Sequence, residues 1–138
     1  MTEDRILEQL AALSREFRTI PVSTLRGGKY TREDLHKVER FCEATLLFSA
    51  IVADVCNSQH NPELLQDGME IRKAALEMVH CLRKVQMART LTFMRQEPGE
   101  HIRILLDRYE DIVRNCRAIC GLQNPFLLDW FDAATQHS

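Results

Sequence analysis

Apolar residues recur at intervals of three and four along most of the chain, which is the period of an α-helix with one buried face. Clear stripes include Ile6, Leu10, Leu13 and Phe17, and later Ile102, Leu105, Leu106, Tyr109, Ile112, Val113, Cys116 and Cys120. No segment shows the two-residue alternation that is typical of a half-buried strand. The pattern therefore predicts an all-α fold.

Four long helices and a short one are predicted between the few helix-breaking residues. We expect the first after Thr2, the second from Thr31 to about Cys56, the third from Pro62 to about Gln96, the fourth from the Pro98-Gly99 turn to Gly121, and a short one from Asn124. Thr2, Thr31, Asn61 and Asn124 are the candidate N-caps. Short connections favour an antiparallel four-helix bundle with long central helices and a short C-terminal helix, forming a single domain over residues 1–138.

The composition supports one self-contained hydrophobic core, and the net charge limits the classes of partner that the protein would bind. The chain has 138 residues, of which 45% are hydrophobic, and a formal net charge of −2. This balance favours neither nucleic acid nor an anionic membrane surface. The longest apolar run, Leu46 to Val55, is interrupted by Ser49 and Asp54 and is too short for a bilayer. We expect no membrane-spanning segment.

The two chain features that report on compartment both favour the cytoplasm. Residues 1–8 carry acids where a secretory signal would carry basic and then apolar residues. The five cysteines are an odd number, form no C-x-x-C pair and lie in apolar helical surroundings. Such cysteines are expected to be reduced and buried, without a zinc site.

The predicted third helix has two apolar seams. One seam is the expected core face and contains Ile71, Ala75, Met78, Leu82 and Val85. The second lies about 140° to 200° away and contains Leu76, Met87, Leu91 and Met94. Four cations and no acid occur between Glu77 and Glu97, namely Arg83, Lys84, Arg89 and Arg95. Three interpretations are open. This helix is enclosed by other helices, with basic stems covering apolar surface, or its second face binds a protein partner, or the basic strip binds nucleic acid.

The second interpretation predicts a non-catalytic interaction or regulatory module that self-associates and binds a protein partner, with a homodimer as the first partner to test. Its partner-binding residues would be Leu76, Arg83, Met87, Leu91, Met94 and Arg95, with Trp130 and Phe131 as aromatic anchors. The alternative for the C-terminal aromatic segment is a lid that closes the end of the bundle. No nucleophile-plus-base pattern, phosphate loop or cofactor motif is present, so we expect neither catalysis nor a cofactor.

Two E-x-x-H pairs suggest a different class. Glu33 with His36 and Glu77 with His80 resemble half of the ligand set of ferritin-like di-iron bundles. That resemblance implies a metal centre inside the bundle, and a bundle that binds a metal or a small ligand is therefore an alternative function. In this sequence, however, His80 and Glu77 lie about 180° and 240° from the core seam, and no inward-facing Glu completes the set.

His80 also resembles the phosphate-accepting residue of histidine phosphotransfer domains. In those bundles an exposed His is followed three residues later by a cation and then by Gly. Arg83 matches the cation, whereas Lys84 stands where Gly is expected. The resemblance implies a phosphorelay module that uses His80.

Overall fold

The chain is almost entirely helical. The computed structural model describes residues 2–90 and 99–136, which form six α-helices and one 3₁₀ turn and contain no strand. The helices are α1 (Thr2–Thr19), α2 (Val22–Arg26), α3 (Arg32–Ser58), α4 (Pro62–Thr90), α5 (Gly99–Gln123) and α6 (Leu128–Ala134), with the 3₁₀ turn Pro125–Leu127 before α6. The predicted all-α class is confirmed.

Three helix starts are held by the predicted capping residues. The Thr31 hydroxyl accepts a hydrogen bond from the Asp34 backbone N–H at 3.2 Å, and the Asp34 carboxylate accepts one from the Thr31 N–H at 2.9 Å. This reciprocal pair is a capping box. The side-chain oxygen of Asn61 accepts a hydrogen bond from the Leu64 backbone N–H at 3.2 Å, and that of Asn124 accepts one from the Phe126 backbone N–H at 3.1 Å. Local side-chain chemistry therefore sets where α3, α4 and the C-terminal turn begin.

The helices differ from the prediction in two places. The sequence analysis predicts no separate helix between the first helix and the one that begins at Thr31, but Val22–Arg26 form α2, whose Leu25 side chain is buried. Gly121 was expected to end the fourth helix, yet α5 continues to Gln123. Gly121 keeps a negative φ and lies against the Leu128 side chain, so it does not form the left-handed end that a glycine often provides.

Contacts between neighbouring helices show their relative directions. Arg5 of α1 donates to Asp54 of α3 at 2.6 Å, and the Phe17 ring lies 5.3 Å from that of Phe41. The start of α1 thus lies beside the end of α3, and the two helices run in opposite directions. α1 also contacts α5, so it joins both sides of the same core.

α4 lies between α3 and α5, with which it makes most of its contacts. Near its start, Gly68 lies so close to α3 that a Cβ atom there would be 2.7 Å from the Val52 Cγ1 atom. Towards its middle, Glu77 lies 3.5 Å from Arg108 of α5. These contacts place one long side of α4 in the core and leave the opposite side outward.

An aromatic cluster within the core joins four elements. Phe17 lies 5.3 to 6.1 Å from Phe41, Tyr109 and Phe131, measured between ring centroids. The Tyr109 hydroxyl donates to the Phe17 carbonyl oxygen at 3.2 Å, which satisfies its polar end inside the core. Because these rings come from α1, α3, α5 and α6, the cluster ties both ends of the chain together.

α3 is the one helix in the described part of the chain that is long and apolar enough to cross a membrane. Its most apolar window has a mean hydropathy of 1.3. Core helices of soluble bundles have the same character, and here Phe41, Phe48 and Val52 of α3 are buried inside the protein. Hydropathy does not separate the two cases, so the absence of a membrane span stays a prediction.

Candidate protein-interaction surface

One outward face of α4 carries four large apolar side chains. Leu65, Met69, Leu76 and Met87 are 41%, 59%, 49% and 55% exposed. At 100° per residue they project within about 40° of one another. They therefore align along one side of the helix and are not four scattered positions.

Polar and basic residues fill the gaps in this line. Adding them defines the outer stripe of α4, which consists of Leu65, Met69, Arg72, Leu76, His80, Arg83 and Met87, all of them exposed. Lys73 and Lys84 flank the stripe. Among the described residues, no carboxylate lies within 4.0 Å of Arg72, Lys73, Arg83 or Lys84. The stripe is thus apolar and basic, as the sequence predicted for the second seam.

The opposite face of α4 forms the predicted core seam. Its members are between 0% and 3% exposed: Ile71, Ala75, Met78, Leu82 and Val85. Because this seam takes up the contacts with α3 and α5, those helices leave Leu76 and Met87 uncovered. Within residues 2–90 and 99–136, enclosure of both faces of α4 is therefore not what the structure shows.

The predicted partner-binding residues of this helix have different outcomes. Leu76, Arg83 and Met87 lie together on the outer stripe. The other three lie outside the described residues: Leu91, Met94 and Arg95. The sequence analysis missed Leu65 and Met69, which extend the stripe towards the start of α4 and which the same helical period, followed backwards from Leu76, would have identified.

The two C-terminal anchors point in different directions. Trp130 is 40% exposed, whereas Phe131 is fully buried and lies 6.1 Å from the Phe17 ring. Adjacent residues on a helix are about 100° apart, so both cannot face outward. Phe131 has the lid role that was the alternative, and Phe126, which was not singled out, is the most exposed aromatic residue of the described chain at 91%.

The two E-x-x-H pairs are spread over the surface. Glu33 lies 3.8 Å from Arg40, Glu77 lies 3.5 Å from Arg108, and both histidines of the pairs are exposed. In the described ranges, no three His, Cys, Asp or Glu side chains come together in a group that could hold a metal ion. This geometry does not fit the di-iron ligand set that the pairs resemble.

All five cysteines are buried free thiols. Burial, with the nearby charge of Glu39, raises the pKa of Cys42 to about 12. Burial also raises the pKa of Cys116, to which Asp67 adds. A raised pKa suppresses the thiolate, which is the reactive form. These thiols therefore act as small core side chains.

Comparisons with known proteins assign no family. No family model matches the chain, and neither curated proteins nor solved structures give a significant match. The functional argument therefore depends on the outer stripe itself.

Proposed function

We propose that the protein is a non-catalytic interaction module that self-associates and binds a protein partner through the outer stripe of α4. The observation that carries this proposal is the alignment of Leu65, Met69, Leu76 and Met87 on one uncovered face. Several large apolar side chains exposed on one face of a folded domain are typical of a binding site.

The composition of the stripe suits an interface. Burying a Leu or Met side chain fully contributes about 1.5–3 kcal/mol, and each of these four side chains still exposes about half of its surface. Methionine and arginine are both enriched at protein interfaces, since Met adapts its shape and the Arg stem packs on apolar surface. A protein that covers the stripe would therefore bury much of the apolar surface that these side chains expose to water.

The architecture that presents this surface is proposed as an antiparallel four-helix bundle. In support, α1, α3, α4 and α5 contact each other in a closed ring, with α6 at one end. A bundle buries one face of each helix and leaves the other for partners. The buried free thiols fit a reducing compartment, so we propose a cytoplasmic location.

A second copy of the chain is the first partner to test, because most soluble oligomers are symmetric homo-oligomers. Wild-type protein is expected to sediment as a dimer at tens of micromolar. Leu76→Glu places a charge in the middle of the stripe and should shift the sedimentation coefficient to that of a monomer. Its circular dichroism and melting temperature at low concentration should stay unchanged, because Leu76 is 49% exposed.

Leu47→Glu is the matched control. Leu47 is 59% exposed on α3, so the same substitution there tests a similar loss of surface apolarity away from the stripe. The control should keep the dimer. A wild-type monomer at 100 µM, or equal weakening by both substitutions, would contradict self-association through the stripe.

A phosphorelay role for His80 is the second candidate, and the exposure of this side chain on α4 favours it. An exposed imidazole beside Arg83 and Lys84 can receive a phosphoryl group, because the two cations attract the negative charge of the phosphoryl oxygens. Incubation with a small-molecule phosphodonor should then yield acid-labile phosphate that is lost in His80→Ala. The same yield in His80→Ala, or none in the wild type, would exclude this role.

A further inference from the structure

The positions of the outer stripe of α4 are spaced symmetrically about Leu76. Leu65 and Met87 lie 11 residues before and after it, Met69 and Arg83 lie 7 residues away, and Arg72 and His80 lie 4 residues away. Three of the four large apolar exposed residues thus occur at the ends and the centre of the stripe, and the fourth, Met69, has Arg83 as its counterpart. A surface with similar spacing in both directions can pair with a second copy of itself in the antiparallel orientation.

The 11-residue spacing also keeps the stripe nearly straight. Leu65, Leu76 and Met87 repeat every 11 residues, or about 3.67 residues per turn, close to the 3.6 of an ideal helix. The stripe therefore drifts by only about 20° from one repeat to the next. Two copies of α4 can lie side by side along its whole length without strong supercoiling.

From this symmetry we propose that two copies of the chain pair through antiparallel α4 helices, with Leu76 at the two-fold axis. The inference rests on the proposed function and specifies the partner and the register. Leu65 then faces Met87 of the partner subunit, and Met69 faces the partner's Arg83. The aliphatic stem of that arginine can cover the methionine.

Charge is unevenly distributed along α4. Residues 62–71 contain three acids and no cation, whereas residues 79–88 contain Arg83 and Lys84 and no acid. Antiparallel pairing places the more acidic half of each helix at the level of the partner's basic half. The three acids lie about 120° to 180° around the helix from the middle of the stripe, however, so none of them contacts the partner's stripe. The same distribution complements the dipole of each helix. The direction of pairing therefore depends on the spacing of the stripe and on the residues that flank it.

The flank of the stripe contains complementary pairs in this register. In an antiparallel pair, the same flank of both helices meets across the two-fold axis. Lys73 then lies within about two residues of the level of the partner's Glu77, a rise of about 3 Å. Each Glu77 lies 3.5 Å from Arg108 of its own chain, so its carboxylate would join two cations.

The size of the surface predicts a modest affinity. From Leu65 to Met87 the stripe is about 33 Å long at 1.5 Å per residue. One helix pair of this length belongs to the small interfaces, which are typically weak and exchange readily. We therefore expect a dimer in the micromolar range, so cross-linking is tested at concentrations above that range.

Cysteine cross-linking distinguishes this register from its alternatives. Leu76→Cys places two thiols at the axis and should form an intermolecular disulfide under mild oxidation. Met69→Cys is the matched control, because its two copies would be about 21 Å apart along an antiparallel pair, too far for a disulfide. Parallel pairing would link both variants. The native thiols are buried, and wild-type protein measures their background.

A mixture of two variants completes the test. Met69→Cys and Arg83→Cys should each fail to link alone, yet link to each other when a size-tagged copy of one is mixed with the other. In an equimolar mixture, about half of all dimers contain one copy of each variant, and these hetero-dimers should become covalently linked. If wild type sediments as a dimer while Leu76→Cys and the mixture stay unlinked, the register is wrong and self-association stands. If wild type is a monomer, the proposed function itself fails.

Discussion

Replacing Phe17 with Ala is expected to lower the free energy of unfolding by about 3–5 kcal/mol. Phe17 is fully buried and its ring contacts those of Phe41, Tyr109 and Phe131. The substitution removes apolar burial, leaves a cavity and loses three edge or tilted aromatic contacts. Urea unfolding monitored by circular dichroism measures the change. The midpoint should move to a lower urea concentration, while the m-value, the dependence of the free energy of unfolding on urea, should stay similar.

Phe126→Ala is the control for the loss of an aromatic ring. Its side chain is 91% exposed, so the free energy of unfolding should change by less than about 0.5 kcal/mol. A loss under about 1 kcal/mol for Phe17→Ala, or comparable losses for both variants, would contradict the core placed around Phe17.

Replacing Gly68 with Ala is expected to lower the free energy of unfolding by about 1–2 kcal/mol, although Ala is the better helix former by about 1 kcal/mol. A Cβ atom at this position would lie 2.7 Å from the Val52 Cγ1 atom and 3.3 Å from its Cβ atom. Val52 is β-branched and has one preferred rotamer in a helix, so it cannot turn aside. Relief requires α3 and α4 to separate.

Gly121→Ala is the matched control within another helix. Its Cβ atom would meet only the flexible Leu128 side chain, at 3.5 to 4.0 Å, which is ordinary contact. This change should therefore stabilise the protein by up to about 1 kcal/mol. In a Val52→Ala background, Gly68→Ala should also lose its penalty. A stabilising Gly68→Ala in the wild type would show that α3 and α4 are not in such close contact.

The helix starts were predictable because their causes are local. A Thr31 hydroxyl and an Asp34 carboxylate reach backbone groups three residues away, so the capping box can be predicted from four consecutive residues. Asn61 and Asn124 act in the same way. α2 was missed because it lacks a side-chain cap and is anchored by the burial of Leu25, which depends on the rest of the fold.

The candidate surface was predictable in part. Periodicity separated the core seam of α4 from a second apolar seam and placed Leu76 and Met87 on the latter, with Arg83 beside them. It did not show that Trp130 faces outward while Phe131 enters the aromatic cluster. Both are large and apolar, and only the docking angle of α6 on α1 and α5 decides which one is covered.

Short-range patterns in the amino-acid chain establish the all-α class, the capped helix starts and the presence of two apolar seams on α4, because each depends on residues within a few turns. The tertiary structure decides the rest: which seam is buried, how near α3 comes to Gly68, and which C-terminal ring is the lid. These depend on contacts between residues far apart in the chain, such as Phe17 with Phe131. Helical periodicity describes residues within one helix and therefore cannot predict such contacts.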